Sequence, residues 1–249
     1  MTKLLELNFY ATPEHECSYL PNTQATTLFA DPKVIMTTEL YTELSQLGFR
    51  RSGHHYYRPH CMQCRACTPI RVPVSKFKAS RNQKRVQKKN SHIEGNLIQA
   101  DFHEDHYLLY EKYIQDRHSD GDMYPPSREQ YRSFLVDGLH CTHFIEFTCD
   151  DQVCAVSVCD LLEDGLSAIY TFFDPDFASL SLGTYAILWQ IHEAQRRNLP
   201  YLYLGYFIKD CQKMSYKNQF HPFEARINDQ WMTENHLFDL AQQQTNPAQ

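Results

Sequence analysis

The sequence predicts a mixed α/β protein with a smaller N-terminal region that is rich in cysteine and arginine. The regular part is indicated by three strand patterns, a helix pattern and a further strand, which follow one another at 143–149, 152–162, 166–173, 182–197 and 201–207. Residues 1–90 differ in being rich in Cys, Arg, Pro and Tyr. The chain has 249 residues, 42% of them hydrophobic, which is enough for one large domain or two smaller ones with a real core.

The N-terminal region shows two helix patterns and two strand patterns. Apolar residues at helical spacing predict a helix at 32–47, and strands are predicted at 49–57 and 70–74. A second helix is predicted at 80–90, with Ser80 as its cap and almost no apolar residue. Because a helix this polar gains little from burial, it is either well solvated or bound to a partner.

The second part begins with two further helix patterns. A helix at 104–118 is ended by Asp120 and Gly121, and Ser127 with Gln130 forms a capping-box pattern for the next helix. With the strands that follow, this change in character predicts three segments: an N-terminal region at 1–95, a second domain at 96–237 and a flexible tail at 238–249.

Antiparallel strands followed by a helix and another strand are the order expected of a GNAT-type N-acyltransferase core. In that fold the helix after the central strands begins at a turn that holds the acyl donor. The candidate turn is 179–184, where Gly183 and Thr184 stand at a helix N-terminus whose free N–H groups suit an anion or a carbonyl oxygen. A serine-rich helix start is also consistent with a simple cap.

Half of the basic residues lie in one sixth of the chain. Twelve of the 24 Lys and Arg residues stand between Arg50 and Lys89, and no acid occurs between Glu43 and Glu94. The rest of the chain carries the other 12 basic residues and all 30 acidic ones. Such a segment indicates a polyanionic partner, nucleic acid first, because Lys and Arg neutralise phosphates. A solvated surface is the alternative, although ordinary surfaces mix both signs.

Composition also argues against an exported or membrane protein. No apolar run approaches the roughly 18–20 residues that span a bilayer, and the first ten residues lack a secretory pattern. Nine cysteines are an odd number without an export signal, which favours reduced thiols and a cytoplasmic protein.

A Cys-x-x-Cys-x-x-Cys motif supplies three thiols, at Cys61, Cys64 and Cys67, and Cys17 could be a fourth. Four thiolates suit tetrahedral zinc, and a thiolate cluster could also hold iron–sulfur. The alternative is a set of free cysteines that pack a tight loop.

Two groups near the end of the regular part could contribute to a site. Asp174 follows a strand that contains Tyr170, and an acid at a strand end can act as a base or orient a substrate, although Asp-Pro is also a common turn. Lys213 and Lys217 are four residues apart and would share a helix face that meets a phosphate or only solvent.

Several strings resemble the arginyl-tRNA–protein transferase family in its shorter, bacterial form. They are Cys17-Ser-Tyr-Leu, Gly48-Phe-Arg-Arg-Ser-Gly, the run from Tyr57 through the cysteine motif to Arg71-Val, Phe77-x-x-Ser-Arg-x-Gln-x-Arg, Tyr170-Thr-Phe-Phe-Asp-Pro, Ser181-Leu-Gly-Thr-Tyr-Ala-Ile-Leu, Tyr203-Leu-Gly-Tyr and Lys213-Met-Ser-Tyr-Lys. The match covers roughly residues 15–235. The resemblance implies a cytosolic enzyme of the N-end rule. It would transfer an amino acid, leucine in the bacterial form, from aminoacyl-tRNA to proteins that begin with Asp or Glu.

The resemblance also implies roles for the candidate residues. Arginines would bind the acidic acceptor, and we place Arg50, Arg51, Arg58 and Arg71 there. Phosphates of Leu-tRNA would meet Arg81, Lys84, Arg85, Lys88, Lys89, Lys213 and Lys217. The aminoacyl ester would lie near Tyr170, Asp174, Gly183 and Thr184. The reaction requires no cofactor, and the cysteines could still hold zinc or iron–sulfur.

Two other activities compete with this interpretation. Arginyl transfer to the same acceptors would keep the mechanism and change the donor. A GNAT-type N-acetyltransferase that uses acetyl-CoA would share the core, but its glycine-rich pyrophosphate loop is absent, since 179–184 contains one glycine.

Overall fold

A mixed eight-stranded sheet dominates the computed structural model, which describes residues 4–121 and 123–236. A four-stranded sheet and a two-stranded pair lie in the N-terminal part. The strands are β1 (Phe9–Ala11), β2 (His15–Glu16), β3 (Gln24–Ala25), β4 (Thr27–Ala30), β5 (Arg50–Ser52), β6 (His55–Pro59), β7 (Thr68–Pro73), β8 (Glu94–Gln99), β9 (Thr142–Cys149), β10 (Gln152–Leu161), β11 (Gly165–Phe173), β12 (Tyr201–Phe207), β13 (Glu224–Ile227) and β14 (Gln230–Thr233).

The helices are mostly short. They are α1 (Thr38–Gln46), α2 (Arg81–Lys89), α3 (Glu104–Arg117), α4 (Arg128–Tyr131), α5 (Leu182–Arg196) and α6 (Gln212–Ser215). Short 3₁₀ segments occur at Leu4–Glu6, Val74–Lys76, Pro175–Leu180 and Tyr216–Gln219, and a π-helical turn at Arg132–Val136 extends α4.

Helices cover both faces of the eight-stranded sheet. Neighbouring residues of a strand point to opposite faces, and in β9 Phe144 and Ile145 belong to different core clusters. Ile145 packs in the cluster that contains Ile191 of α5, whereas Phe144 packs with Ile114 of α3. The sheet is therefore the middle layer of a three-layer arrangement, and a third cluster around Tyr41 belongs to the N-terminal part.

The order of the large sheet is β14-β13-β7-β12-β11-β10-β9-β8. Adjacent strands in this sheet are antiparallel, except that β11 and β12 are parallel to each other. Their pairing covers Gly165 to Ser167 against Tyr201 to Tyr203. Because β11 continues to Phe173 and β12 to Phe207 without further pairing, the two strands separate, and we call the space between their carboxyl ends the cleft.

The mixed α/β class is confirmed, and so are most of the elements that the sequence predicts. The observed α2, α3, α5 and β9 to β12 lie within one residue of the predicted bounds. The helix predicted at 32–47 starts only at Thr38, because the Thr37 side chain accepts from Leu40 N at 3.2 Å and caps it there. The strand predicted at 49–57 is a hairpin, β5 and β6, that turns near Gly53. The strands β1 to β4, β8, β13 and β14 were not predicted.

The large sheet draws strands from both predicted regions. Strand β7, from the region 1–95, lies between β12 and β13, and the predicted boundary at residue 95 falls inside β8. The tail predicted at 238–249 lies outside the described residues. Within the described ranges, no helix is long and apolar enough to cross a bilayer.

Candidate active site

Arg50 lies at the point where β11 and β12 separate. Its Nη1 donates to Ser167 Oγ at 2.8 Å, and its Nη2 donates to the carbonyl oxygen of Ala168. Gly205 makes room for it on the other strand: a Cβ at this position would lie 3.0 Å from Arg50 Nε, and its φ is +81°. The side chain therefore forms the floor of the cleft, and glycine is needed both for space and for the backbone conformation.

Lys217 forms part of the wall on the β12 side. Its Nζ donates to the Tyr206 carbonyl oxygen at 2.9 Å and lies 2.9 Å from Met214 Sδ, and the residue is only 8% exposed. Burial, and then the nearby charge of Arg50, lower the pKa of Lys217 to about 7. This lysine is thus an interior group beside Arg50 and not the surface cation that the sequence predicted.

Tyr170 stands on the β11 side. Its hydroxyl is buried without a hydrogen-bond partner among the described residues, and its ring packs against Phe134 at 5.5 Å and Tyr113 at 6.4 Å between centroids. Burial raises the pKa of Tyr170, and Tyr216 is near enough to raise it further. Since buried hydroxyls are normally satisfied, this group is available to a ligand or a water.

Asp174 organises the turn after β11. Its Oδ1 accepts from Lys112 Nζ at 2.6 Å and from the backbone N–H of Asp176 at 2.9 Å. The carboxylate therefore caps the 3₁₀ turn Pro175–Leu180 and fixes Lys112 of α3. Both contacts support the turn that leads into α5, next to the cleft.

Gly183 and Thr184 lie in the first turn of α5, as predicted. The residue before the helix, Ser181, has φ +55° and its side chain makes no capping hydrogen bond. A Cβ on Gly183 would meet only Phe173, at an ordinary 3.8 Å. The free N–H groups in the first turn of α5 therefore lie near the end of β11.

Arg51 is neither exposed nor free. It donates from Nε and Nη2 to the two carboxylate oxygens of Asp160 at 2.8 and 2.9 Å, and both side chains have no exposed surface. Tyr41 and Thr142 donate to the same carboxylate. The guanidinium is occupied, so we correct the predicted contact of Arg51 with the acceptor to a structural role.

Arg71 is also engaged within the protein. Its Nε donates to Glu224 at 2.8 Å, and its guanidinium lies 3.6 Å from the Tyr201 ring centroid and 4.3 Å from that of Trp231. It joins β7 to β13 and β14. Because the guanidinium is paired with Glu224 and stacked on two rings, few of its N–H donors are left for an acceptor carboxylate. The predicted acceptor role of Arg71 is replaced by this one.

Arg58 keeps unused donors. Its Nη1 donates to the Leu47 carbonyl oxygen at 3.3 Å, and its Nε is buried without a partner among the described residues. Burial, and then the charge of Arg226, lower the pKa of Arg58. Its contacts, the Leu47 carbonyl oxygen and the Phe49 ring, differ from those of Arg50.

The basic helix α2 lies beside the cleft. Gln83 Nε2 donates to the Gln219 carbonyl oxygen at 3.0 Å, and Asn90 Nδ2 donates to that of Leu180 at 2.9 Å. These bonds tie one end of α2 to the 3₁₀ turn that carries Lys217 and the other to the turn before α5. Five cations of the helix are exposed and make no ion pair within the described ranges: Arg81, Lys84, Arg85, Lys88 and Lys89.

Lys213 and Lys217 do not share a helix face. The helix α6 ends at Ser215, and the 3₁₀ turn that follows carries Lys217 into the interior. Lys213 stays exposed and lies 3.6 Å from Asp120. The predicted pair is therefore wrong, because the helix is too short to keep the spacing of four residues on one side.

The cysteines of the motif are reduced and partly exposed. Burial raises the pKa of Cys67 to about 12, and the neighbouring thiols Cys17, Cys61 and Cys64 raise it as well. Among residues 4–121 and 123–236, no three Cys, His, Asp or Glu side chains have the spacing of a metal site. Zinc and iron–sulfur clusters require deprotonated, converging thiolates, and binding of either by Cys17, Cys61, Cys64 and Cys67 stays a prediction.

The site includes residues that the sequence did not single out. Ser167 and Ala168 hold Arg50, while Tyr206, which the sequence motif already contained, holds Lys217 through its backbone carbonyl oxygen. One signal was available: Gly205 interrupts an apolar strand pattern, and such a glycine often marks a bulge or a close approach. The bulge lies between Tyr203 and Gly205 in the pairing of β12 with β7.

The fold and the cleft define an α/β protein with a cationic interior site and an adjacent cationic helix. Two family models match, "Arginine-tRNA-protein transferase, N terminus" over residues 15–85 and "Arginine-tRNA-protein transferase, C terminus" over 105–227. Relatives named aspartate/glutamate leucyltransferase are similar along nearly the whole chain. That of Marinobacter nauticus is 54% identical, covering 93% of this chain and 98% of its own, and that of Pseudomonas entomophila is 53% identical, covering 94% and 100%.

This chain belongs to the arginyl-tRNA–protein transferase family, and within it to the aspartate/glutamate leucyltransferases. Among solved structures, the C-terminal domain of a putative lysylphosphatidylglycerol synthetase from Agrobacterium fabrum matches at a TM-score of 0.46 and 10% identity, covering 83% of this chain and 69% of that one. A similarity this low carries no argument about the fold.

Proposed function

We propose that this protein transfers leucine from Leu-tRNA to the N-terminal amine of proteins that begin with Asp or Glu, as an enzyme of the N-end rule. The observation that carries the proposal is the identity of more than half of the residues with aspartate/glutamate leucyltransferases over almost the full length. The cationic cleft and the acid-free helix α2 are consistent with an acidic acceptor and a polyanionic donor.

The chemistry asks for positioning more than for a strong base. The acceptor amine attacks the carbonyl carbon of the leucyl ester, the new C–N bond forms, and the 3′-terminal ribose oxygen leaves and takes a proton. An N-terminal amine has a pKa of about 8, so a useful fraction of it is already neutral. The enzyme has to align the two substrates and stabilise the oxyanion of the intermediate.

The cleft between β11 and β12 would hold the reacting groups. We propose that this splayed pair is the counterpart of the cleft of a GNAT-type acyltransferase, with the leucyl ester between Tyr170 and the first turn of α5 at Gly183 and Thr184. The unpartnered Tyr170 hydroxyl can donate to a developing oxyanion. No covalent enzyme intermediate is needed, so no nucleophilic side chain is assigned.

The tRNA would lie along α2. Its exposed cations project from the helix that connects the Lys217 turn to the α5 turn, so a phosphate backbone on α2 would direct its 3′ end towards the cleft. Exposed Lys213, on the far side of the Lys217 turn, could extend this surface. We further propose a cytoplasmic location, where charged tRNA is available.

The metal remains a prediction to test. Protein purified anaerobically can be measured by elemental analysis for zinc, iron and sulfide. A ratio near one metal or one cluster per chain would support a site at Cys17, Cys61, Cys64 and Cys67 that forms only when metal draws the thiols together. A ratio near zero would contradict it.

A transfer assay tests the function. Purified protein is mixed with labelled Leu-tRNA or Arg-tRNA and with peptides that begin with Asp, Glu, Lys or Ala. We expect label from Leu-tRNA on the Asp and Glu peptides alone. Label from Arg-tRNA would keep the mechanism and show that the donor is arginine and not leucine. Activity with acetyl-CoA alone would show that the proposed aminoacyl transfer is wrong.

Asp174 provides a separate test of the cleft. Asp174→Ala removes the cap of the turn before α5 and the contact with Lys112, so transfer should fall by about tenfold or more while tRNA binding is kept. The removed cap should also lower the free energy of unfolding by about 1 kcal/mol. Turnover like that of the unmodified protein would exclude Asp174 from positioning the donor.

A further inference from the structure

Arg50 and Lys217 are neighbouring cations that have no acidic partner among the residues the structure describes. Arg50 is half-buried and Lys217 is buried, and neither makes an ion pair with a carboxylate in the described ranges. By contrast the adjacent Arg51 has Asp160 as a bidentate partner. An interior charge without a counter-charge is costly, and two together are costlier. The arrangement therefore leaves a place for an anion.

The groups around Lys217 come from several elements. Arg50 of β5 faces it, Tyr206 of β12 accepts from it, and Cys67 and Cys211 precede β7 and α6. Tyr216 lies in its own turn, and its ring centroid is 5.6 Å from Lys217 Nζ. None of these is a carboxylate, so within residues 4–121 and 123–236 no carboxylate compensates the two cations, and an anionic ligand would do so.

The two cations also keep donors for a ligand. A guanidinium has five N–H groups and an ammonium has three. Arg50 uses one for Ser167 and one for Ala168, and Lys217 uses one for Tyr206 and turns another to Met214. Three N–H groups of Arg50 and one of Lys217 are left, which suits the two oxygens of a carboxylate.

We propose that Arg50 and Lys217 together form the pocket that binds the side-chain carboxylate of the acceptor's N-terminal Asp or Glu. The inference rests on the proposed function and names the residues that set its acceptor specificity. A phosphate of the tRNA is the other possible anion. The exposed α2 suits phosphates, whereas a recess in which Lys217 is 8% exposed suits a small carboxylate at the end of a flexible side chain.

The same pocket explains why a neutral acceptor would be rejected. An N-terminal Asn or Gln presents an amide NH₂ where the pocket also has N–H donors, so one oxygen contact is lost and two cations stay uncompensated. Sites built around such polar contacts discriminate strongly against the analogue that lacks them. We therefore expect the unmodified enzyme to prefer Asp over Asn peptides by about hundredfold or more.

The test compares two peptides on the same protein sample. The ratio of kcat/KM for an Asp peptide to that for the matched Asn peptide is measured for the unmodified enzyme and for Lys217→Met and Arg50→Gln. Because misfolded protein lowers both rates equally, the ratio reports the pocket alone. Each variant should lower the ratio by at least about tenfold. Arg50→Lys keeps the positive charge and loses the paired N–H donors of the guanidinium. Its ratio should lie between that of the unmodified enzyme and that of Arg50→Gln.

Lys33→Met is the matched control, since Lys33 is exposed and lies outside the cleft. Its ratio should equal that of the unmodified enzyme. Binding of Leu-tRNA is measured for every variant in parallel and should be unchanged.

An unchanged peptide ratio with weaker tRNA binding would overturn the proposal and assign the cations to a tRNA phosphate. An unchanged ratio with unchanged tRNA binding would also overturn it. If the unmodified protein labels neither Asp nor Glu peptides from Leu-tRNA, the proposed function itself has failed, which is a different result.

Discussion

At the residue scale, Arg50 and Arg51 show how two adjacent arginines of one strand serve different purposes. Consecutive residues of β5 point to opposite sides. Arg51 reaches Asp160 and is fully buried, whereas Arg50 reaches the cleft and finds only uncharged oxygens. In the sequence the two arginines look equivalent. Only their partners in the fold show that Arg51 belongs to a structural ion pair and that Arg50 can bind a ligand.

The pKa of Lys217 gives a prediction for acceptor choice. Burial and Arg50 lower that pKa to about 7, so the ammonium that binds a carboxylate is lost as pH rises through about 7. The ratio of Asp to Asn transfer should therefore fall between about pH 6 and about pH 8, while acceptor carboxylates stay ionised. Both peptides carry the same amine, so its titration cancels in the ratio. In Lys217→Arg, the ratio should be flat with pH, and a slope in that variant would point to another group.

The Arg51–Asp160 pair gives a prediction for stability. Asp160→Asn would leave the Arg51 charge buried without its counter-charge, which should lower the free energy of unfolding by about 3–5 kcal/mol. Urea unfolding followed by circular dichroism measures this change. The double variant Arg51→Met with Asp160→Asn should recover part of the loss, since no charge then remains. A single variant as stable as the unmodified protein would contradict the structural role.

At the scale of elements, the hydrogen bonds that attach α2 to its neighbours determine which side of the helix is exposed. Ser80 and Gln83 form a reciprocal capping box, and Gln83 and Asn90 also bond the neighbouring turns. The polar buried side chains thus face the protein and the cations face solvent. A hydrophobic stripe was not needed, because hydrogen bonds at both ends position the helix.

The cations of α2 are expected to contact tRNA phosphates. Replacing Arg81 and Arg85 by Ala should weaken Leu-tRNA binding and reduce the slope of log affinity against log salt by roughly one unit per lost contact. Titrations at several salt concentrations measure that slope. Lys33→Ala serves as the control, and an unchanged slope in the double variant would mean that α2 faces solvent in the complex.

At the scale of the whole molecule, the N-terminal part completes the sheet of the regular part. Strand β7 bonds to β12 on one side and to β13 on the other, and Tyr206 donates to the carbonyl oxygens of Gly48 and Tyr57. Arg50 and Arg51 both reach residues of β10 or β11. The cleft is therefore assembled from both parts of the chain.

A fragment test follows from this shared sheet. Residues 96–237 expressed alone lack β7, which would leave β12 without its neighbour, and lack Arg51, which would leave Asp160 buried and unpaired. We expect the fragment to show no cooperative unfolding transition and to be degraded quickly by protease. A cooperative transition like that of the full chain would contradict the shared core.

The sequence by itself determined the mixed α/β class, the bounds of α2, α3, α5 and β9 to β12, the basic segment and the family. These follow from local periodicity, capping residues and contiguous motifs, which depend on neighbours along the chain. Tertiary structure decided which arginine faces the cleft, that Lys217 is buried and that β7 joins the large sheet. The roles of the two arginines depend on partners more than a hundred residues away, Ser167 for Arg50 and Asp160 for Arg51. No local pattern contains that information, because the charge of a side chain is visible in sequence and its counter-charge is not.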